Sequence, residues 1–579
     1  MHHQMDGHPA LPATWECAAF RGIATGWPGA LAGRGQVLST WEGSSTLPVT
    51  WVDKRMALLG LPRLLLPVLF GASFTLKAAM FQLAVVDEAS QPLPCRVLAR
   101  LADGNCAVPA GATVLRIGPD RWFMCSGKAE LNVDEGPVEL RVERGLEYSR
   151  FKVTLPVSGP NTSQQVILKR WINLRELGYL SAENHLHLAS DELGPMAIAE
   201  GLDFASSLTW WNGPDQRRPV PAGSGKHRVL RFAGHEITAS IYDAELEHAW
   251  GAAYLLNLPA PLSSQSDKGR PNLEYLKQAV ANGAIVHYQG GWSREVLLDA
   301  LLGYVHTVNV CNNNFHLHRF QPRRRYSNLL GVPEFPLYPE TVEGMMQMNI
   351  DTYYRLLNCG LRLAAGAGSA TGAKEVPVGY NRACVKVRAN ASLDEFYGAW
   401  KAGRNFVSNG PILLFSTAGG QGPGDEIQLP KGGGRLRFKV RAVSDQDLTA
   451  VEIVQNGAVV NQLALRNPRL LDEAFDLDVH RGSWIAARCT VRDDWLTDAE
   501  LGRYANGDQQ QPSRLRFAHT SPIYVTVDGQ GPIEPKAVQE GLQMLDHLEL
   551  FGRENAAPFY RPAFAQAINQ ARGLLRSRL

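Results

Sequence analysis

The sequence predicts a multidomain α/β plus all-β chain: a central α/β barrel or doubly wound sheet, a β-sandwich on either side, and a helical tail. Three observations carry this. Apolar strands alternate with amphipathic helices from 171 to 410. Period-two alternation of apolar and polar residues dominates 80–170 and 411–530. At 579 residues the chain is too long for one core, so roughly two to four domains are expected.

The composition is ordinary for a globular protein, with 45% hydrophobic and 20% charged residues. A net charge of +2 gives no reason to propose nucleic acid or an acidic membrane surface as partner. The run Arg323-Arg324-Arg325 is a local exception. Eight cysteines are scattered with no Cys-x-x-Cys, which excludes a zinc ribbon or a thioredoxin-type site. Cys95, Cys106 and Cys125 fall close together; a disulfide among them and burial as small hydrophobes are both open.

Residues 1–55 lack periodicity and read as an unstructured extension upstream of a start at Met56. Lys54 and Arg55 precede an apolar run from Leu64 to Ala72, and small residues follow. That is the layout of a secretory signal peptide, read here over 56–79, so the protein is expected to be exported to the periplasm or the exterior. Pro62 and Pro67 and the shortness of the run argue against a membrane span.

Residues 80–170 read as an N-terminal β-sandwich. Leu131 and Val133, then Val138, Leu140 and Val142, alternate with polar partners on both sides of Asp134-Glu135-Gly136-Pro137, as two strands joined by a turn would. Packing or carbohydrate contact is the expected role. Residues 411–530 read as a second sandwich, with Asn456-Gly457 as a type I′ hairpin signal. Residues 531–579 read as amphipathic helices.

The middle segment, 171–410, carries the chemistry. His185 and His187 are two apart in an apolar run, so on an extended strand both rings point to one face. Two convergent imidazoles suit a divalent metal such as zinc. Pro195 marks a helix start, Gly201 its stop, and Leu202 to Trp211 a second buried strand. Further strand–helix units follow, including a capping box at Ser392-Leu393-Asp394-Glu395 closed by Gly403. Glu236, within Gly234-His235-Glu236, and His287 fall at other expected strand ends. In barrels such ends meet at one face, so Glu236 is a candidate bridging carboxylate between two metals.

Several stretches together resemble the CehA/McbA-like (carbaryl-hydrolase-like) metallohydrolases of the polymerase and histidinol phosphatase (PHP) superfamily. These are GYLSAENHLHL, AEGLDFASSLTWWN, GHEI, WGAAYLLNL, AIVHYQGGW, YYRLLNCGLRLAAGAGSATG and GRNFVSNGPILLF, over about residues 178–415. The resemblance implies a distorted (β/α)7 barrel and hydrolysis of a carbamate, ester or phosphoester bond. It implies His185 and His187 as first-site ligands, Glu236 as the bridging carboxylate and His287 as a second-site ligand. Zinc or manganese is the implied metal, as one or two ions. Two positions depart: Ala252 stands where the family has histidine, and Ala370 where it has aspartate. His235, His248, His316 and His318 are candidate substitute ligands, and Arg323, Arg325 and Arg382 candidates to hold an anionic substrate group. The expected activity is metal-assisted hydrolysis of a small-molecule or glycan-like substrate, with Glu236 and His287 as catalytic residues. The alternative is a non-catalytic fold that recognises a glycan or surface partner.

Overall fold

A computed structural model describes residues 78–212, 220, 225–262, 267–313, 332–335, 338–339, 341–505 and 513–579. The extension at 1–55, and the signal-peptide reading except Ala78 and Ala79, lie outside the described residues. His316, His318, Arg323 and Arg325 lie outside them as well. Ala78 and Ala79 open the first strand, Ala78–Val86. Among the described residues no helix is long and apolar enough to cross a membrane.

The first strands form two packed sheets. One is built of Lys128–Asp134, Ala78–Val86 and Asn161–Ile167, with Ala78–Val86 in the middle. The other orders Val114–Ile117, Asp120–Cys125, Cys95–Arg100, Gly136–Glu143 and Phe151–Val157. Phe81, Leu83 and Val85 are buried and alternate with more exposed neighbours, as a strand with one wet face requires. The turn at 134–137 is not a hairpin. Lys128–Asp134 pairs in the first sheet and Gly136–Glu143 in the second, so the chain crosses between sheets there. Alternation fixed which face of each strand is buried, not which strand it pairs with.

The middle of the chain forms a mixed sheet. Tyr179–Glu183, Phe204–Trp211 and His235–His248 run parallel. Gly251–Leu256 and Ile285–Tyr288 follow by antiparallel pairing, then Thr307–Cys311 and Ala364–Ala367 in parallel. Helices Ser190–Ala199, Asn272–Ala281, Val296–Leu301 and Val342–Asn358 lie between these strands in the chain, and Leu393–Lys401 follows them. No barrel closes among the described residues. Instead Tyr179–Glu183 pairs on its other edge with Arg382–Lys386, and the ladder passes through Asn405–Ser408 into Leu515–Thr520. Beyond the ladder, Leu186 and Thr371 form an isolated parallel bridge, and side chains reach across to Ala365. Trp400 Nε1 and Asn405 Nδ2 donate to Ala365 O at 3.0 and 2.9 Å. The fold is thus mixed and strand-rich, with a few helices.

Pro195 does not begin its helix. The helix starts at Ser190, carries Asp191 and Glu192 in its first turn, and holds Pro195 inside. Acidic residues beside the helix N-terminus favour the earlier start. The Ser392 capping box opens Leu393–Lys401 as the sequence implies, its hydroxyl accepting from Glu395 N.

The C-terminal strands are not a free-standing pair of sheets. Ile412–Thr417, Gly434–Val443 and Leu470–Val479 form a three-stranded sheet. The facing strands Leu448–Gln455, Ser483–Arg492 and Leu515–Thr520 continue the central sheet. Asn456 and Gly457 have φ of 48° and 89°, the left-handed turn their sequence predicts. Helices Pro535–Asn555 and Arg561–Arg576 pack on each other and on the central part, where Trp250 meets Phe551 and Phe564 at ring distances of 4.9 and 5.2 Å. Arg150 and Asp493 tie the N-terminal sheets to the C-terminal strands at 2.9 Å.

Candidate metal centre

The strand Tyr179–Glu183 is buried along its whole length, the carboxylate of Glu183 included. The chain stays extended past Glu183, because Ala370 N donates to His185 O and His187 N to Thr371 O, both at 2.8 Å. His185 and His187 therefore keep the two-residue alternation and face the same side. Both are nearly closed off, at 2% and 8% exposure.

Their Nε2 atoms lie 3.1 Å apart. A buried carboxylate completes the group: Glu245 Oε2 is 2.9 Å from His187 Nε2 and 3.5 Å from His185 Nε2. His185, His187 and Glu245 form a group that could hold a metal ion. A tetrahedral zinc with bonds of about 2.0–2.2 Å has ligand atoms roughly 3.3 Å apart, inside the spread of these three edges. Glu245 Oε2 lacks hydrogen-bond geometry to any neighbour, while the two Nε2 atoms pair only with each other. His185 Nδ1 is also buried without a partner.

Charge at the site follows from its neighbours. Burial by itself would raise Glu245, but the facing His185 and His187 hold its carboxyl down at about 2. Burial lowers His185 against the pull of the Glu245 carboxylate, which favours the neutral imidazole a metal needs. Glu183 supports the loop from behind. Its Oε1 accepts from Ser369 N at 2.8 Å and from His185 N at 3.2 Å, and its Oε2 from Gly379 N at 3.1 Å. Burial pushes it up to about 7 despite these bonds.

Strand register arranges the rest. Glu245 stands opposite Tyr254, and Tyr254 opposite His287, across three adjacent antiparallel strands. The Tyr254 ring lies 4.4 Å from His185 and 5.2 Å from His287. Trp211 packs 4.5 Å from His187. His287 Nδ1 bonds Thr307 Oγ1 at 2.7 Å, and burial drives its imidazole down to about 3. Gly366 and Gly368 make room for the rings. A Cβ at Gly366 would sit 2.2 Å from His287 Cε1, and one at Gly368 2.6 Å from His185 Cβ.

The structure separates the other sequence candidates from this group. Glu236 is not its carboxylate. It lies nine residues before Glu245 on the strand His235–His248, roughly 30 Å away at about 3.3 Å per residue. Its side chain is 55% exposed and bonds Arg231 at 2.6 Å. His235 is beside it, also exposed. His248 is three residues past Glu245, so strand alternation turns it to the opposite face, and burial holds it at about 4. His287 belongs to the same row but stands a strand beyond Tyr254, outside the three-atom group. Ala252 pairs with Glu247, one step along from Glu245 and Tyr254. Ala370 is buried in the left-handed region at φ 62°. Arg382 donates to Gly379 O and Glu200 O and lines a cavity away from the histidines.

Glu245 was missed although its signal is in the sequence. It is one of two carboxylates, with Asp243, inside Ile241-Tyr242-Asp243-Ala244-Glu245-Leu246, an otherwise largely apolar stretch. A charge in such a run is buried, and a buried charge needs a partner. Comparison of the chain with protein-family models, with curated proteins and with solved structures finds no match.

Proposed function

We propose that this chain is a metal-dependent hydrolase of the CehA/McbA-like type, with one divalent ion held by His185, His187 and Glu245. The carrying observation is the crowding of two imidazole nitrogens and a carboxylate oxygen within 3.5 Å of one another. Two histidines and a glutamate with an open fourth position is a donor set of catalytic zinc sites. When bound, the ion would supply Lewis-acid polarisation of a carbonyl or phosphoryl oxygen and a water acidic enough to react near neutral pH.

The chain's own residues do the remaining work. Glu183 fixes the backbone of His185 and of the Ser369 loop, so the ligand cannot swing away. Trp211 and Tyr254 wall the histidine pair and keep water out of its sides. His287, held neutral by burial and oriented by Thr307, would offer Nε2 as a hydrogen-bond partner rather than as a base. The substrate is a small molecule with an ester, carbamate or phosphoester bond.

Metal analysis of the purified full chain tests this, beside hydrolysis of p-nitrophenyl acetate, a p-nitrophenyl carbamate and bis-p-nitrophenyl phosphate. The expected result is about one equivalent of zinc or manganese and turnover of at least one of these. His187→Ala should lose both. A folded wild-type protein that takes up no metal on reconstitution overturns the reading.

A further inference from the structure

A second polar site lies where the N-terminal sheets meet the helix Ser190–Ala199. A cavity of about 270 Å³ is lined there by residues including Arg144, Arg170, Arg175 and Arg382, with Glu147, Glu200, Asp203 and Glu236. It shares no residue with the His185, His187 and Glu245 group.

Its acids are already matched. Glu147 holds Arg170 at 2.6 Å, and Glu236 holds Arg231 at 2.6 Å. Asp203 pairs with Arg175, and Glu200 shares Arg96 with Glu143. Arg144 and Arg382 are left over. Arg382 is 2% exposed and gives its Nε to Gly379 O at 2.6 Å. Its two terminal nitrogens reach only Glu200 O, at 3.3 Å each. Arg144 gives Nη1 to the carbonyls of Pro94 and Ile198, and its Nε is buried without any partner. Neither guanidinium forms an ion pair among the described residues. An unpaired buried charge is costly, so this wall is unfavourable until an anion enters.

We infer that the cavity binds the phosphate group of a small phosphomonoester. Arg144 and Arg382 have no carboxylate partner of their own, which favours an anion, and a phosphomonoester carries about −1.5 to −2 at pH 7. Guanidinium forks suit its oxygens better than a point charge would. The volume leaves space for a small organic group beyond the phosphate. His235 at the rim, depressed by burial and by the Arg144 charge, reflects the same positive field.

The test is calorimetric titration of the full chain with inorganic phosphate and, separately, acetate. Expected is saturable phosphate binding at millimolar concentration or below, at least 10-fold tighter than acetate. Arg144→Gln should weaken it at least 10-fold, and His187→Ala should leave it unchanged. Arg382→Gln should behave like Arg144→Gln wherever it folds; Arg144→Gln carries the test if it does not. Absence of saturable binding, equal binding by Arg144→Gln, or loss of binding in His187→Ala each overturns the assignment. Acetate binding as tight as phosphate overturns the dianion.

Discussion

His187 Nε2 lies 2.9 Å from Glu245 Oε2, with both side chains about 2–3% exposed. Neither atom has water to turn to. Such a pair persists in a fold when a cation or a shared proton occupies the space between.

Glu245→Gln separates the two carboxylates on one strand. It should cut metal uptake by at least 10-fold, because an amide is a poor substitute for a charged ligand. Glu236→Gln should leave uptake unchanged, since Glu236 pairs with Arg231 at the surface. Metal content after dialysis against a buffered zinc solution reads both. Equal loss in the two variants would refute the placement.

Metal removal should lower thermal stability. A ligand at 100 times its Kd stabilises by about 2.7 kcal/mol. Calorimetry with and without a chelator should show a lower Tm without metal in wild type. The difference should vanish in His185→Ala.

Gly368→Ala should destabilise by about 1–3 kcal/mol through overpacking against His185 Cβ, 2.6 Å from the added methyl. Metal affinity should fall with it, because the ring must shift. Gly531→Ala, which meets nothing within 4 Å and, like Gly368, has no left-handed backbone, serves as the unstrained control. Urea unfolding of the three proteins gives the comparison.

Asp493 joins Arg150 and Arg516 in a buried group between the N-terminal sheets and the C-terminal strands. Burial works to raise its carboxyl, but the two guanidiniums hold it far below the usual carboxylate range. A folded pKa below the unfolded one contributes stability above about pH 4, which is lost as pH falls further. Asp493→Asn should cost about 3–5 kcal/mol at pH 7, leaving buried Arg516 uncompensated and Arg150 with Asp445 alone. The cost should shrink below pH 4 in denaturant titrations.

His519 is buried, bonding Tyr354 Oη at 2.7 Å through Nε2 and Thr520 O at 2.6 Å through Nδ1. Burial, against the pull of the Thr520 carbonyl, lowers it to about 3. The unfolded imidazole takes its proton near pH 6.5, so this contribution is complete above 6.5 and lost as pH falls toward 3. His519→Gln cannot titrate. Its stability deficit relative to wild type should narrow by about 1.4 kcal/mol per pH unit between pH 6 and 4. A deficit constant over that range would contradict the neutral assignment.

Much of this was legible in the letters. The alternation of His185 and His187, the Ser392 capping box and the Asn456-Gly457 turn depend on residues within a few positions of each other. Local sequence therefore determined them. Glu236 and Glu245 share one strand and one chemistry, so their letters are equivalent; only depth in the sheet made Glu245 the partner of the histidines. The same holds for Asp134 to Pro137, where alternation gave the buried faces but tertiary pairing sent the two strands to different sheets. It holds again for Arg382, a plausible substrate contact by type, which the fold buries against backbone carbonyls beside Arg144. Side-chain period is a property of the chain alone, whereas strand partners and burial depth depend on contacts hundreds of residues apart, which only the tertiary structure decides.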